Sequence, residues 1–168
     1  IGNDLIIVPW LPEEFRTTKD DYLRTAELLN GIGKKLYDRG FTLAYHNHDF
    51  EFNSFEGKTG LDILFEHTEP NPLKMELDCF WATYTKHDPL DIIDKYAHRC
   101  VSLHIKDLQT NEDKPISTEI GKGSLPLNEY VNKGKEVGVK WMIVEQEHFT
   151  KDPLESAEEN AVAIRQMI

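Results

Sequence analysis

Histidine, aspartate, glutamate and lysine recur in four short apolar stretches of this 168-residue chain. His46-Asn47-His48 closes one, Glu76 and Asp78 lie in a second, His104 and Lys106 in a third, and Glu145 and Glu147 in a fourth. Read with the period of two that governs a strand, each stretch collects these residues on one face. The faces are Ala44, His46 and His48; Glu76 and Asp78; Ser102, His104 and Lys106; and Ile143, Glu145 and Glu147. A strand covered on both sides is expected to be almost wholly apolar. Imidazole, carboxylate and ammonium groups at successive strand ends therefore call for compensation, which a metal ion or polar ligand supplies. Imidazole and carboxylate without thiolate suit a hard or borderline divalent ion such as Mn²⁺, Zn²⁺, Co²⁺ or Mg²⁺. Each piece also has an ordinary structural alternative. His46-Asn47-His48 could be a satisfied polar strand end, Asp78 a helix cap, His104 with Lys106 and Asp107 an ion-pair network, and Glu145 and Glu147 solvated loop carboxylates. The coincidence of all four at one end of a sheet favours the chemical reading.

The elements that must position these groups are legible in the apolar pattern. Five strand-length runs, Asp4–Trp10, Phe41–His48, Leu73–Trp81, Cys100–Asp107 and Lys140–Glu147, are rich in β-branched or aromatic residues. Helical periodicity separates them, most clearly in Lys19–Asp38, where Thr18 or Asp20 could cap the start and Gly40 stops the helix. Shorter helices are expected at Gly60–Thr68, Pro89–His98 and Leu127–Gly138, and a last one at Pro153–Met167. Strand and helix alternate five times, which predicts an α/β fold with a parallel sheet. The polar stretch Gln109–Gly123 reads as an active-site loop, and no low-complexity linker divides the chain.

Composition narrows the partners. A net charge of −11 opposes nucleic-acid binding, and no apolar run is long enough to span a bilayer. The first residues lack the basic and apolar regions of a targeting segment, and the missing initiator Met hints at processing or excision from something longer. Cys79 and Cys100 sit in apolar runs and read as buried reduced thiols, consistent with a cytoplasmic protein. No GxGxxG, Walker or GxSxG pattern occurs, and Gly121-Lys122-Gly123 is too short for a phosphate loop. Lys122 could nonetheless reach an anionic or polyhydroxyl substrate. Trp10, Phe80 and Trp81 stand at strand ends, where they could stack on a sugar ring or simply pack.

Five stretches carry a resemblance that spans essentially the whole chain: YHNHDFEF (Tyr45–Phe52), ELDCFW (Glu76–Trp81), LHIKD (Leu103–Asp107), GKGSL (Gly121–Leu125) and IVEQE (Ile143–Glu147). In this order they resemble the xylose-isomerase-like TIM barrels of the sugar phosphate isomerase/epimerase group, which share a fold with apurinic endonucleases. The resemblance implies a single partial (β/α)8 TIM barrel over residues 1–168, made of about five βα units from the C-terminal part of the barrel and lacking the first three. It also implies a divalent ion at the C-terminal mouth, with Asp78, His104 and Glu145 as ligands. Where family epimerases often carry a glutamate, this chain has Ala44. Glu51 is the expected replacement ligand, with His46 or His48 close behind, and the departure widens the reading toward dehydratases and lyases.

The expected chemistry is a metal-dependent reaction on a small carbohydrate. Polarisation of a carbonyl acidifies the neighbouring C–H, Glu145 removes the proton to give an enediolate, and Lys106 stabilises the oxyanion or holds a hydroxyl. His46 serves as a second acid/base or outer ligand, and His48, Trp81, Lys106, Lys122 and Glu147 contact the substrate. Return of the proton gives isomerisation or epimerisation, and expulsion of a β-oxygen gives a dehydratase or lyase acting on a keto-sugar or inositol-like ring. An abasic-site endonuclease is disfavoured by the acidic charge, while a non-catalytic binding module of the same fold is the remaining alternative. Five βα units leave an exposed parallel edge, so the isolated chain is expected to associate with itself. Light scattering should report a homo-oligomer, and a clean monomer would contradict this.

Overall fold

The computed structural model describes residues 2–111 and 114–168. Five parallel strands, β1 (Leu5–Val8), β2 (Thr42–His46), β3 (Leu73–Asp78), β4 (Cys100–Ile105) and β5 (Trp141–Val144), lie side by side in sequence order. Between and after them run α1 (Lys19–Tyr37), α2 (Gly60–Glu66), α3 (Cys79–Tyr84), α4 (Pro89–Lys95), α5 (Leu127–Val137) and α6 (Pro153–Arg165). Sequential parallel strands joined through helices form a half-barrel, as expected of a partial TIM barrel. Among the described residues, no helix is long and apolar enough to cross a membrane.

Local sequence explains the boundaries. Thr18 caps α1 through a reciprocal box with Asp21, its hydroxyl accepting the Asp21 amide while the Asp21 carboxylate accepts the Thr18 amide. Gly138 ends α5 at a φ of 81°, a left-handed turn that a side chain would strain. The strands end earlier than expected. β3 stops at Asp78 because the Asp78 Oδ1 accepts the Trp81 amide at 3.1 Å, so Cys79, Phe80 and Trp81 start α3 instead of extending the strand. The expected loop Gln109–Gly123 is partly ordered as a hairpin of Asp107–Asn111 against Lys114–Thr118. Residues 112 and 113 of that loop lie outside the described residues. A second small hairpin pairs Ser54–Phe55 with Lys58–Thr59.

The core lies between sheet and helices. Leu43, Tyr45, Met75, Leu77, Leu103 and Ile105 alternate along β2, β3 and β4 and pack with Tyr22, Ala26, Leu64, Ile93 and Val131. Cys79 and Cys100 are both buried and unbridged. The remaining face carries the polar residues singled out in the sequence. Among the described residues, β1 and β5 have a neighbour on one side only. Leu5 and Ile7 share a groove of about 380 Å³ with Trp141 and Ile143, so the curled sheet brings its two edges toward each other.

One buried cation closes the opposite end of the sheet. Arg99 donates through Nε and Nη2 to the Leu73 carbonyl, through Nη1 to the carbonyls of Phe65 (2.6 Å) and Thr68 (3.0 Å), and through Nη2 to the Thr68 hydroxyl (2.7 Å). It thereby satisfies the carbonyls where the chain leaves α2 and enters β3. Replacing Arg99 with Leu leaves those carbonyls unpaired, and urea denaturation should show a loss on the order of 3 kcal/mol.

Candidate metal centre

Register brings the polar strand ends together. Asp78 stands beside His104, His46 beside Glu76, and His104 beside Ile143, from which two further residues lead to Glu145. Beyond the β2–β3 ladder, the buried Asn47 continues the pairing with its side chain. Its Oδ1 accepts the Asp78 amide at 2.9 Å and its Nδ2 donates to the Asp78 carbonyl at 3.4 Å. This amide clasp fixes the end of β3 against the turn that follows His46.

The resulting cluster is tight. Asp78 Oδ2 lies 3.8 Å from His104 Nδ1 and 4.0 Å from His46 Nε2. One donor atom from each of His46, Asp78 and His104 lies within 4.8 Å of the other two. Glu145 Oε2 approaches His104 Nδ1 at 3.3 Å. Asp78 is fully buried, and its Oδ2 has no hydrogen-bond partner among the described residues, whereas its Oδ1 caps α3. The carboxylate thus serves both readings at once, as a cap through one oxygen and as a free donor through the other. A buried acceptor facing two imidazoles and a further carboxylate fits a divalent cation in chemistry and charge.

Electrostatics follow from the same contacts. Burial alone would raise the Glu76 carboxyl, but His104 and then His46 beside it hold it at about 2. Burial opposes charge on His104, yet Glu145 and Glu76 raise its pKa to about 9. The Glu145 carboxyl is lowered to about 2, chiefly by its hydrogen bond with His104 and further by Lys106. Burial lowers the partly exposed His48 to about 4, with His46 adding to the effect, so its ring is neutral at pH 7. Burial pushes the Asp78 carboxyl upward against the pull of Lys106 and the two histidines. Lys106 is fully buried, with its Nζ 3.2 Å from Glu145 and 2.7 Å from Glu147. That ammonium also lies 4.7 Å from the Phe80 ring centre and 5.2 Å from that of Trp81, a cation–π seat at the rim.

Of the residues singled out in the sequence, the structure joins Asp78, His104, Glu145 and His46, and sets Lys106, Glu147, Trp81 and His48 around them. Two are placed elsewhere. Glu51 lies in a buried 3₁₀ turn, where its carboxylate accepts the Tyr45 hydroxyl and, at 2.8 Å, the His48 amide. Tyr45 belongs to the helix-facing core, so Glu51 braces the turn from behind and is not a member of the donor group. Lys122 pairs with Glu159 of α6 at 2.6 Å, away from the cluster. The reason lies in Asp107, whose carboxylate accepts the amides of Gly121 (2.8 Å), Gly123 (3.0 Å) and Leu125 (3.2 Å) and holds that loop toward acidic α6. A Cβ on Gly123 would fall 2.2 Å from Asp107 Oδ1, which requires glycine there. The sequence assigned no role to Asn47, offered Asp107 only as part of an ion-pair network with His104 and Lys106, and placed Glu76 only on the polar face. The one available signal was that Glu76 shares the face of Asp78.

A sequence profile described as "Xylose isomerase-like TIM barrel" matches residues 1–167. Among curated proteins, an inosose dehydratase from Clostridium botulinum is 25% identical over 111 residues, covering 66% of this chain and 37% of that protein. Another from Clostridium perfringens is 25% identical over 126 residues, covering 75% and 40%. Among solved structures, a sugar phosphate isomerase/epimerase from Parabacteroides distasonis superposes with a TM-score of 0.81 at 26% identity, covering 96% of this chain and 57% of that one. The chain therefore spans little more than half the length of that structure, and less of the curated relatives it matches.

The placement of Glu51 has a measurable signature. Burial raises its carboxyl to about 7 despite the hydrogen bonds from Tyr45 and the His48 amide. The neutral form is thus favoured by folding, and the penalty for ionisation develops between the unfolded value near 4.5 and about 7. In urea denaturation across that interval, Glu51→Gln should gain stability relative to the parent as pH rises, and the difference should level off above about 7.

Proposed function

Because the chain belongs to the xylose isomerase-like TIM barrel family, we propose that its strand ends form the site of a divalent-metal-dependent enzyme that isomerises or epimerises a small sugar or sugar phosphate. The observation that carries this reading is the unpartnered, buried Oδ2 of Asp78 aimed between His46 and His104. His46, Asp78, His104 and Glu145 would hold the ion, which when bound supplies a Lewis acid for a substrate carbonyl and its neighbouring hydroxyl. Glu145 is about one-third exposed and ionised at neutral pH, so its carboxylate can take the proton from the carbon beside that carbonyl. Lys106 presents a fixed positive charge to the enediolate oxygen, with Glu147 holding the ammonium from the solvent side. The neutral ring of His48 and the indole of Trp81 bound the space above the cluster, suited to a hydroxyl and to the apolar face of a sugar ring. Return of the proton to the other face or the adjacent carbon completes the reaction.

A second reading, dehydration of a keto-sugar or inositol-like ring, shares the first proton transfer and differs in expelling a β-hydroxyl. It is favoured by the inosose dehydratases among the relatives and by Ala44, which leaves β2 without a second carboxylate on this face. We further propose that a second copy covers the unpaired strand edges of the isolated chain, and that two reduced thiols suit a cytoplasmic protein.

Elemental analysis should find about one equivalent of divalent metal per chain. Asp78→Asn, which keeps a capping oxygen for α3, and His104→Ala should both lose it, while retention in both would sink the site. With metal bound, solvent deuterium should enter a carbon-bound position of a sugar in a substrate panel. Exchange with return of the isomer supports isomerase chemistry, and exchange followed by loss of water supports the dehydratase.

A further inference from the structure

Beyond β5 the chain leaves the sheet, yet it still has to deliver Glu147 to Lys106. Glu145 keeps a backbone bond to β4, its amide donating to the Ile105 carbonyl at 3.3 Å. The amides of Glu147 and His148 then both end on one atom, Ser117 Oγ, at 2.8 and 3.0 Å. Ser117 is buried in the hairpin strand Lys114–Thr118. A hydroxyl has two lone pairs and one proton. With both lone pairs taken, the proton is left for His148 Nδ1, 3.2 Å away. That nitrogen also accepts the Ser117 amide at 3.3 Å, so it carries no proton of its own. Gln146 braces the same arm, its Nε2 donating to the His148 carbonyl at 2.8 Å while its Oε1 accepts Asn160 Nδ2 at 2.8 Å.

We infer that Ser117 is a positioning residue: its hydroxyl, oriented by His148, sets the backbone from which Glu147 reaches the Lys106 ammonium. The inference rests on the reading in which Lys106 meets the enediolate oxygen, and it adds what keeps that charge in place. Lys106 is fully buried, with its Nζ 2.7 Å from Glu147 Oε2 and 3.2 Å from Glu145 Oε2. The Glu147 side chain is about half exposed, so water competes for its carboxylate and the contact depends on where its backbone stands. The hairpin is held by its own pairing of Leu108 with Ser117 and Gln109 with Ile116. The clasp therefore ties Glu147 to a part of the fold that does not depend on it. Loss of the hydroxyl leaves two amides without their acceptor and lets the arm move, while the hairpin ladder stays intact. A displacement of about 1 Å in such a support costs on the order of 100-fold in rate.

Amide hydrogen exchange and the ¹⁵N signal of the Lys106 ammonium test this without any substrate or added ion. In the parent, the Glu147 and His148 amides should be protected and the buried ammonium should give a slowly exchanging signal. Ser117→Ala should speed exchange at those two amides by about 5- to 10-fold, the equivalent of one hydrogen bond, and broaden the Lys106 signal. Ser117→Thr keeps the hydroxyl and should retain both parental readouts. His148→Leu leaves the hydroxyl unoriented and should move both readouts in the same direction, whereas His148→Asn, with an oxygen in place of Nδ1, should not. Amides of the hairpin ladder should keep parental exchange in Ser117→Ala; loss of protection there as well overturns the inference in favour of a purely structural role. Parental exchange and a parental Lys106 signal in Ser117→Ala overturn it too. Far-UV circular dichroism checks folding, and if Ser117→Ala does not fold, His148→Leu decides by the same criteria. With a sugar that the parent turns over, Ser117→Ala should lower kcat by about 10- to 100-fold while Zn²⁺ affinity stays parental. A parent with no turnover on the sugar panel overturns the proposed reaction, and the exchange data still decide the clasp.

Discussion

A carboxylate oxygen sealed from water, with nothing to accept, is the constraint around which this fold is arranged. Asp78 Oδ2 is in that position, and the surrounding sheet offers it imidazole nitrogens instead of solvent. A parallel sheet is built to be apolar on both faces, so ionisable groups at its strand ends survive only by facing one another or a ligand. Here they do so through register. Asp78 stands beside His104 by ladder pairing, and the turn after His46 is held to Asp78 by the Asn47 side chain, which makes the bonds that one more ladder step would have made. A slip of one residue in either strand would turn these groups into the hydrophobic core.

The opposite wall of the site hangs on a different kind of support. Glu145 and Glu147 lie beyond β5; the Glu145 amide still donates to the Ile105 carbonyl at 3.3 Å, and the hairpin after β4 holds the backbone at Glu147. The Ser117 hydroxyl accepts the amides of Glu147 at 2.8 Å and His148 at 3.0 Å. Asp107 anchors the far strand of connections by gathering backbone amides from the glycine loop, and Asn160 of α6 joins the Ile120 amide to Gln146. Each carboxylate that faces Lys106 is therefore aimed by backbone that is itself hydrogen-bonded, which limits how far either can swing.

Strand–helix alternation made the parallel α/β sheet readable before any coordinates, and the period of two put most of the cluster on one face, while the partial barrel was implied by the family resemblance. Asp78, His104 and Glu145 were separable from their neighbours because strand alternation states which way a side chain points. That logic fails where the strand ends. Glu51 was assigned to the ion by its type and proximity to His46-Asn47-His48, but a 3₁₀ turn reverses the direction of its side chain and hands it to Tyr45. Lys122 was assigned to substrate because it is a cation in a glycine loop, and neither the Asp107 anchor nor the acidic face of α6 is visible in local spacing. Arg99 and Asn47 were silent for the opposite reason: their partners are backbone atoms, which no residue type announces.

The division of labour within the Asp78 carboxylate reaches farther than the cluster. Its Oδ1 holds the Trp81 amide, and the Trp81 ring in turn lies near the Lys106 ammonium and the His48 imidazole. One side chain thus couples the donor cluster to the aromatic rim, and a displacement of Asp78 is handed to the first turn of α3, and with it to the indole, through a single hydrogen bond.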